Sequence, residues 1–241
     1  MLKQVEKYIN ELPPLNESIQ KINESLANPV EGFAILVKTI EKDPLLTTLI
    51  LNAANFPLYG FSSKIGDIKR AVSLLGLNTV TGIALNVLIK NMFKINFLPY
   101  NLSEQQFLEL SLKYNLVAKQ VCSNEKLHLL KIISPISFLL EIGKAISSQI
   151  IIQNNLTDLF IEKAKSGMPY YLIEKEFLGI TSYEITGLIL KKFNFNQDLV
   201  DILLNIFSQE NLVNEKLEVA RLLIQIINMF DNKFNLKKEG E

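Results

Sequence analysis

Apolar residues along this chain recur three and four positions apart, and no stretch alternates with a period of two over several residues. Leu2, Val5 and Ile9 begin the pattern, which stops at Pro13-Pro14. Ile19, Ile22 and Leu26 mark a second short helix. Asn28-Pro29 opens a third, with Val30, Phe33, Leu36, Val37 and Ile40 expected inward. Asp43-Pro44 places a capping carboxylate before a proline in the first helical position, and Leu46, Leu49, Ile50 and Ala53 form the stripe that follows. The cluster Asn55-Phe56-Pro57-Leu58-Tyr59-Gly60 breaks that helix. Ile68, Ala71, Val72 and Leu75 lie on one face of the next, Gly76 supplies a left-handed end, and Asn78 is read as the cap of a helix carrying Val80, Ile83, Ala84, Val87 and Leu88.

Beyond a short linker at 96–101, Ser103 and Gln106 form a capping box ahead of Phe107, Leu110, Tyr114, Val117 and Val121. Residues 124–126 break that helix. Ser134-Pro135 is read as the start of the next, through Phe138, Leu139, Ile142 and Ile146. Gly167-Met168-Pro169 and Gly179 punctuate the following segment, and Thr181 with Glu184 makes a second capping box before Ile185, Leu188 and Ile189. Asn196 caps a helix with Leu199, Ile202, Leu203 and Ile206, and a last helix near 215–230 carries Leu217, Ala220, Ile224 and Ile227. The fold class is all-α, expected as two packed lobes near 12–97 and 98–230 with a frayed polar tail at 231–241.

Composition narrows the setting. The 241 residues contain 25 basic and 25 acidic side chains, so no bulk field draws nucleic acid or anionic lipid. A single cysteine, Cys122, makes no internal disulfide and suits a reducing compartment. The start lacks a signal peptide's apolar region, and the most apolar stretch, 132–152, is interrupted by Pro135, Glu141 and Lys144 and reads as core helix, not a membrane span. A cytoplasmic protein is expected.

Four stretches carry a family likeness. Leu12-Pro13-Pro14-Leu15, Asp43-Pro44, the run from Leu51 through Asn52 and Asn55 to Gly60, and Ile68-Lys69-Arg70-Ala71-Val72-Ser73-Leu74-Leu75-Gly76 resemble the signature of the HDOD domain, in order and at suitable spacing, over about 12–209. The resemblance implies a bacterial all-helical fold, an N-terminal bundle packed on a lobe related to the HD-type phosphohydrolases. It also implies a role in signal relay, motility, stress control or cyclic-dinucleotide networks, exerted through protein contacts.

An HD phosphohydrolase needs clustered histidines and aspartates to hold a water-activating metal. Aligned through Glu141-Ile142-Gly143-Lys144, the resemblance puts Leu140 and Glu141 at the His-Asp pair. Other ligand positions fall near Leu110 or Ser111, at Ser182, near Phe207 and Ser208, and near Arg221. An aliphatic side chain ligates nothing, and a cation repels a metal. The single histidine, His128, and the single cysteine leave no His/Cys metal site, and no phosphate-binding glycine loop, dinucleotide fingerprint or serine elbow is present. Cys122 reads as a small core residue. Glu141 is a carboxylate in a very apolar helix, for which a bond to Lys144 or to backbone is the commoner outcome and a functional role the rarer one.

No catalytic residue, metal ligand or cofactor is therefore expected. The candidate interaction surface is Asn52, Asn55, Tyr59, Phe61, Lys69 and Arg70, where aromatic and basic groups combine. Against that stands the plain reading that the aromatics plug a corner between helices while the lysines face solvent. The expected function is a non-enzymatic regulatory module that binds a protein partner in bacterial signalling. The alternative is a degenerate HD-type phosphohydrolase retaining nucleotide binding or weak phosphodiesterase activity. A nucleotide ranks behind a protein partner, nucleic acid ranks last on charge, and the oligomeric state is left open.

Overall fold

A computed structural model describes residues 1–15, 17–27, 29–93, 96–122, 124–230 and 232–235. Among the described residues the chain is helical with no β-strand, as the periodicity requires. The helices are α1 (Leu2–Asn10), α2 (Glu17–Ala27), α3 (Pro29–Glu41), α4 (Pro44–Ala54), α5 (Ile68–Leu75), α6 (Leu77–Lys90) and α7 (Glu104–Val121). They continue as α8 (Leu130–Leu139), α9 (Lys144–Gln153), α10 (Thr157–Lys165), α11 (Tyr170–Leu178), α12 (Ser182–Lys192), α13 (Gln197–Leu204) and α14 (Asn214–Asn228). No single helix among the described residues is long and apolar enough to cross a membrane.

Helix starts follow side-chain chemistry. The Asp43 carboxylate accepts from the Leu46 amide at 3.0 Å with Pro44 behind it, and Asn196 accepts from the Asp198 amide at 2.8 Å. Both capping boxes are complete: Ser103 with Gln106 opens α7, and Thr181 with Glu184 opens α12. Asp67 caps α5 by accepting from the Arg70 amide at 2.8 Å.

The centre of the molecule is α6. Every residue from Thr79 to Ile89 is buried, so this helix has no solvent face. It lies against α2, α4 and α5 on one side and crosses α8 on the other. At that crossing a Cβ on Gly82 would lie 2.5 Å from the Phe138 ring. Some of its buried polar groups find partners across the interface. Asn86 donates to the Phe138 carbonyl and the Ser111 hydroxyl, and the Thr79 and Ser134 hydroxyls lie 3.3 Å apart.

Several expectations change. Phe33 is exposed: Gly32 takes the inward place, because α3 passes so near α2 that a Cβ there would lie 2.2 Å from the Ser25 carbonyl oxygen. Asn78 caps nothing. The α6 helix starts at Leu77, directly after Gly76, and Asn78 already lies inside it. Pro135 is interior to α8, which begins at Leu130, and the chain breaks at 140–143 before α9, so Ile142 and Ile146 belong to a turn and a new helix. The 96–101 linker is part of the core, with Phe97, Pro99 and Tyr100 buried. The Asn28 cap lies outside the described residues, as do Asp231 and 236–241 of the expected tail. Residues 232–235 are described, and Phe234 is buried.

Left-handed residues stand at many of the turns and helix ends. Asn101, Asn155, Asn194, Asn211 and Asn214 have φ between 50° and 60°, beside Gly60, Gly76, Gly167 and Gly179.

The corner between α5 and α6 bends the chain by 118° at Gly76, whose φ of 89° and ψ of 153° are open essentially to glycine alone. No atom approaches within 4 Å of where its Cβ would stand, so the constraint is in the backbone. Gly76→Val should cost roughly 1–3 kcal/mol through strain. Leu75→Ala, in the adjoining core, should cost roughly 2–5 kcal/mol. Urea denaturation checks both, and losses below about 0.5 kcal/mol would remove this corner from the stabilising core.

Candidate functional site

The loop after α4 is built around Asn55. Its amide nitrogen donates to the carbonyls of Leu51 and Ile65 at 2.7 and 2.9 Å, and its oxygen accepts from the Ile65 amide at 2.8 Å. One side chain thus staples both ends of a ten-residue excursion, an internal task that leaves it little to offer a partner. The Tyr59 ring lies 6.0 Å from that of Phe61, with the Lys119 ammonium 5.8 Å above it. Its hydroxyl is enclosed, and burial raises the phenol above its ordinary range. Arg70 donates to the Ser63 hydroxyl at 2.7 Å. Of the six residues of the candidate surface, Asn52, Phe61, Lys69 and Arg70 are exposed, while Asn55 and Tyr59 are partly buried and tie the corner together.

A second constellation lies deep between α7, α9, α11 and α12. Lys144, at the first position of α9, is 1% exposed, and Glu141 and Glu174 are fully buried. The Lys144 ammonium stands 2.7 Å from Glu141 Oε2, 3.6 Å from Glu174 Oε1 and 3.2 Å from the Ser182 hydroxyl. Tyr114 and Tyr183 donate to Glu141 Oε1 at 2.9 and 3.2 Å, and Tyr100 donates to Glu174 Oε1 at 2.8 Å. The Ser182 amide donates to Glu174 Oε2 at 2.6 Å. Ring faces complete the cage: the ammonium lies 4.8, 5.2 and 5.6 Å from the centroids of Tyr100, Tyr183 and Tyr170.

Local packing sets this geometry. An ideal Cβ at Gly143 would lie 1.9 Å from the Ser182 carbonyl oxygen, so only glycine lets the 140–143 turn press against the start of α12. There the Gly143 amide donates to the Thr186 hydroxyl at 2.9 Å. Burial alone would depress Lys144, but Glu141 and Glu174 outweigh it and hold the ammonium above the usual lysine range. Burial, and then the adjacent carboxylates, push Tyr100, Tyr114 and Tyr183 well above the usual phenol range.

The positions at which the family likeness would require metal ligands are brought together only in part. Glu141 and Ser182 converge, and what they meet is the Lys144 ammonium. Leu140 is buried and contributes its carbonyl to Thr186, Ser111 bonds Asn86 and the Phe107 carbonyl, and Phe207 stacks on Tyr171. Ser208 and Arg221 are exposed, so the cation at 221 is not the one in this cluster. Among the described residues no three His, Cys, Asp or Glu side chains are grouped to hold a metal ion. The residues present do not fit one: a fixed cation already sits between the two carboxylates. His128 is at the surface, 3.9 Å from Glu215, and Cys122 is buried with its thiol pushed up by burial.

Above the cluster lies a cavity of about 140 Å³, lined by Tyr114, Lys144, Tyr170, Tyr183, Phe230 and Phe234 among others. The pairing of Glu141 with Lys144 was readable from their place in an apolar run. Glu174 and the gathering of Tyr100, Tyr114, Tyr170 and Tyr183, four of the chain's seven tyrosines, carried no local signal.

Two predictions test the cluster. Lys144→Met should cost about 3–5 kcal/mol, since it leaves two buried carboxylates without their cation. Adding Glu141→Gln should recover part of that loss. A loss below about 1 kcal/mol in the single variant would show that the ammonium is not what holds these carboxylates. The folded protein also holds its Lys144 and tyrosine protons more tightly than the unfolded chain, so their contribution is complete below pH 10 and declines above it. Unfolding free energy measured from pH 8 to 11.5 should fall beyond about pH 10, by about 1.4 kcal/mol per pH unit for each proton released on unfolding. Lys144→Met should flatten this fall, and an unchanged slope would count against the assignment.

The fold and this cluster can be set beside known proteins. The HDOD domain model matches residues 12–207. No curated protein matches the chain. Among solved structures, a Shewanella amazonensis protein named as a candidate phosphohydrolase is 18% identical, with 94% of this chain and 79% of its own covered at a TM-score of 0.69. A virulence factor of Campylobacter jejuni is 26% identical over 95% of this chain and 83% of its own, at 0.50. An HDOD domain protein of unknown function from Geobacter sulfurreducens is 16% identical over 94% and 76%, at 0.65. The first and third likenesses are of fold alone, and the family match over most of the chain settles membership: the chain belongs to the HDOD domain family.

Proposed function

We propose that the protein is a non-catalytic regulatory module of bacterial signalling that acts in the cytoplasm by binding another protein. The observation that carries this reading is the Lys144 ammonium held between Glu141 and Glu174, where an HD-type hydrolase would need a metal. A resident cation fixed by covalent chain offers no open coordination site and no bound water to activate. Family membership supports the same reading. For the contact surface, the exposed Asn52, Phe61, Lys69 and Arg70 remain the residues proposed to face a partner. The balanced charge argues against nucleic acid.

One observation favours the competing reading of a degenerate phosphohydrolase. The cavity beside Lys144 is walled by aromatic rings, which suit a planar base, and a structural neighbour is named as a candidate phosphohydrolase. Assays of the untagged protein with manganese, iron, magnesium or zinc, against a phosphodiester reporter and cyclic dinucleotides, separate the two. No turnover above metal-only controls and no stoichiometric metal by elemental analysis are expected. Metal-dependent turnover that Glu141→Gln abolishes would overturn the regulatory reading in favour of the hydrolase.

A further inference from the structure

Residues 232–235, at the end of the described chain, sit in the second half of the molecule much as a bound peptide would. The Asn232 amide nitrogen donates to the carbonyls of Ala164 and Met168 at 2.9 and 2.8 Å, and its backbone carbonyl accepts from the Tyr170 hydroxyl at 3.1 Å. Two positions on, the Phe234 ring stacks on Tyr170, with centroids 5.5 Å apart and planes 18° from parallel. Lys113 reaches over from α7 to donate to the Phe234 carbonyl at 3.4 Å. Backbone carbonyls therefore read an asparagine, and an aromatic face reads a ring.

This segment separates two spaces. Asn232, Tyr170 and Gly167 stand in the wall of the 140 Å³ cavity and also in the wall of a neighbouring groove of about 640 Å³ lined by Leu98, Pro99, Ile161 and Ala164. Lifting the segment would join them into one cleft that runs from the surface to the aromatic cage around Lys144. The plug is also not relaxed. Phe234 has φ 59°, a left-handed backbone that a bulky residue rarely adopts and that persists only where surrounding contacts impose it.

We infer that this cleft is a docking site for a protein segment carrying asparagine followed two residues later by an aromatic, and that Asn232-Lys233-Phe234 is its intramolecular stand-in. The inference rests on the protein-binding reading above and names a place for it distinct from the 52–70 loop. A tethered segment competes at the high effective concentration its short connection gives it, so a free partner must exceed that or exploit the strain at Phe234. The recognition combines hydrogen bonds between side chains and backbone carbonyls with ring stacking on Tyr170.

The test uses the full chain carrying Asn232→Ala and Phe234→Ala together, with circular dichroism confirming that it is folded. A fluorescent peptide of sequence Phe-Asp-Asn-Lys-Phe-Asn-Leu should bind this variant about tenfold more tightly than it binds wild type, where the native segment competes. Replacing the peptide's first asparagine or its second phenylalanine by alanine should abolish that binding. Equal affinity for both proteins, no binding to the folded variant, or indifference to the peptide's own substitutions would each overturn the inference. Concentration-dependent dimers of wild type formed by exchange of this segment would assign the cleft to a second copy instead. If the double variant does not fold, p-fluorophenylalanine at position 234 of the wild-type chain gives the readout. A shift of its fluorine resonance on adding peptide supports the site, and an unmoved resonance at saturating peptide sinks it. Failure of the peptide while the chain captures a partner through another surface would end this inference and leave the regulatory reading standing. Failure of the whole chain to capture any protein would end that reading first.

Discussion

A buried ammonium cannot be left uncompensated, and residues from five parts of this chain are gathered to satisfy one. Lys144 enters an apolar interior at the start of α9, where desolvation opposes its charge. Two carboxylates, a serine hydroxyl and three tyrosine rings close on it, drawn from the segment before α7, the turn before α9, and α11 and α12. Each carboxylate is in turn held by phenol or amide donors, so the ammonium and the two carboxylates depend on one another and on the groups around them. This interdependence explains why Gly143 must be small and why the 96–101 connection is buried: Tyr100 is needed at Glu174.

How much of this was legible depended on the distance between cause and effect along the chain. Helix positions, both capping boxes and the Gly76 corner follow from interactions within four or five residues, and the sequence stated them directly. The errors were of a different kind. Phe33 carries the right spacing for burial, but the closeness of α2 and α3 at Gly32 decides which face of α3 turns inward, and that closeness is a property of two helices together. Pro135 fits a helix start by residue type, yet α8 accommodates it in its interior.

The candidate site shows the same division. Glu141 and Lys144 are three residues apart, and their pairing could be foreseen. The remaining partners lie more than 25 positions from Lys144 and share no local pattern, so only the fold brings them in. In the 52–70 loop the opposite held: residue types suggested a binding surface, but Asn55 turned out to be spent on its own backbone, a role that residue type alone does not reveal.

The five left-handed asparagines have a consequence for how this chain can change over generations. With ten glycines in 241 residues, much of the demand for positive φ falls on asparagine, which tolerates it better than other side chains. All five are exposed. Drift at these sites is nonetheless confined largely to asparagine, glycine and aspartate, because almost any other residue would strain the turn. If relatives keep the same residues there, the selection responsible acts on backbone geometry, and a search for binding sites guided by invariance alone would be led to the wrong surface.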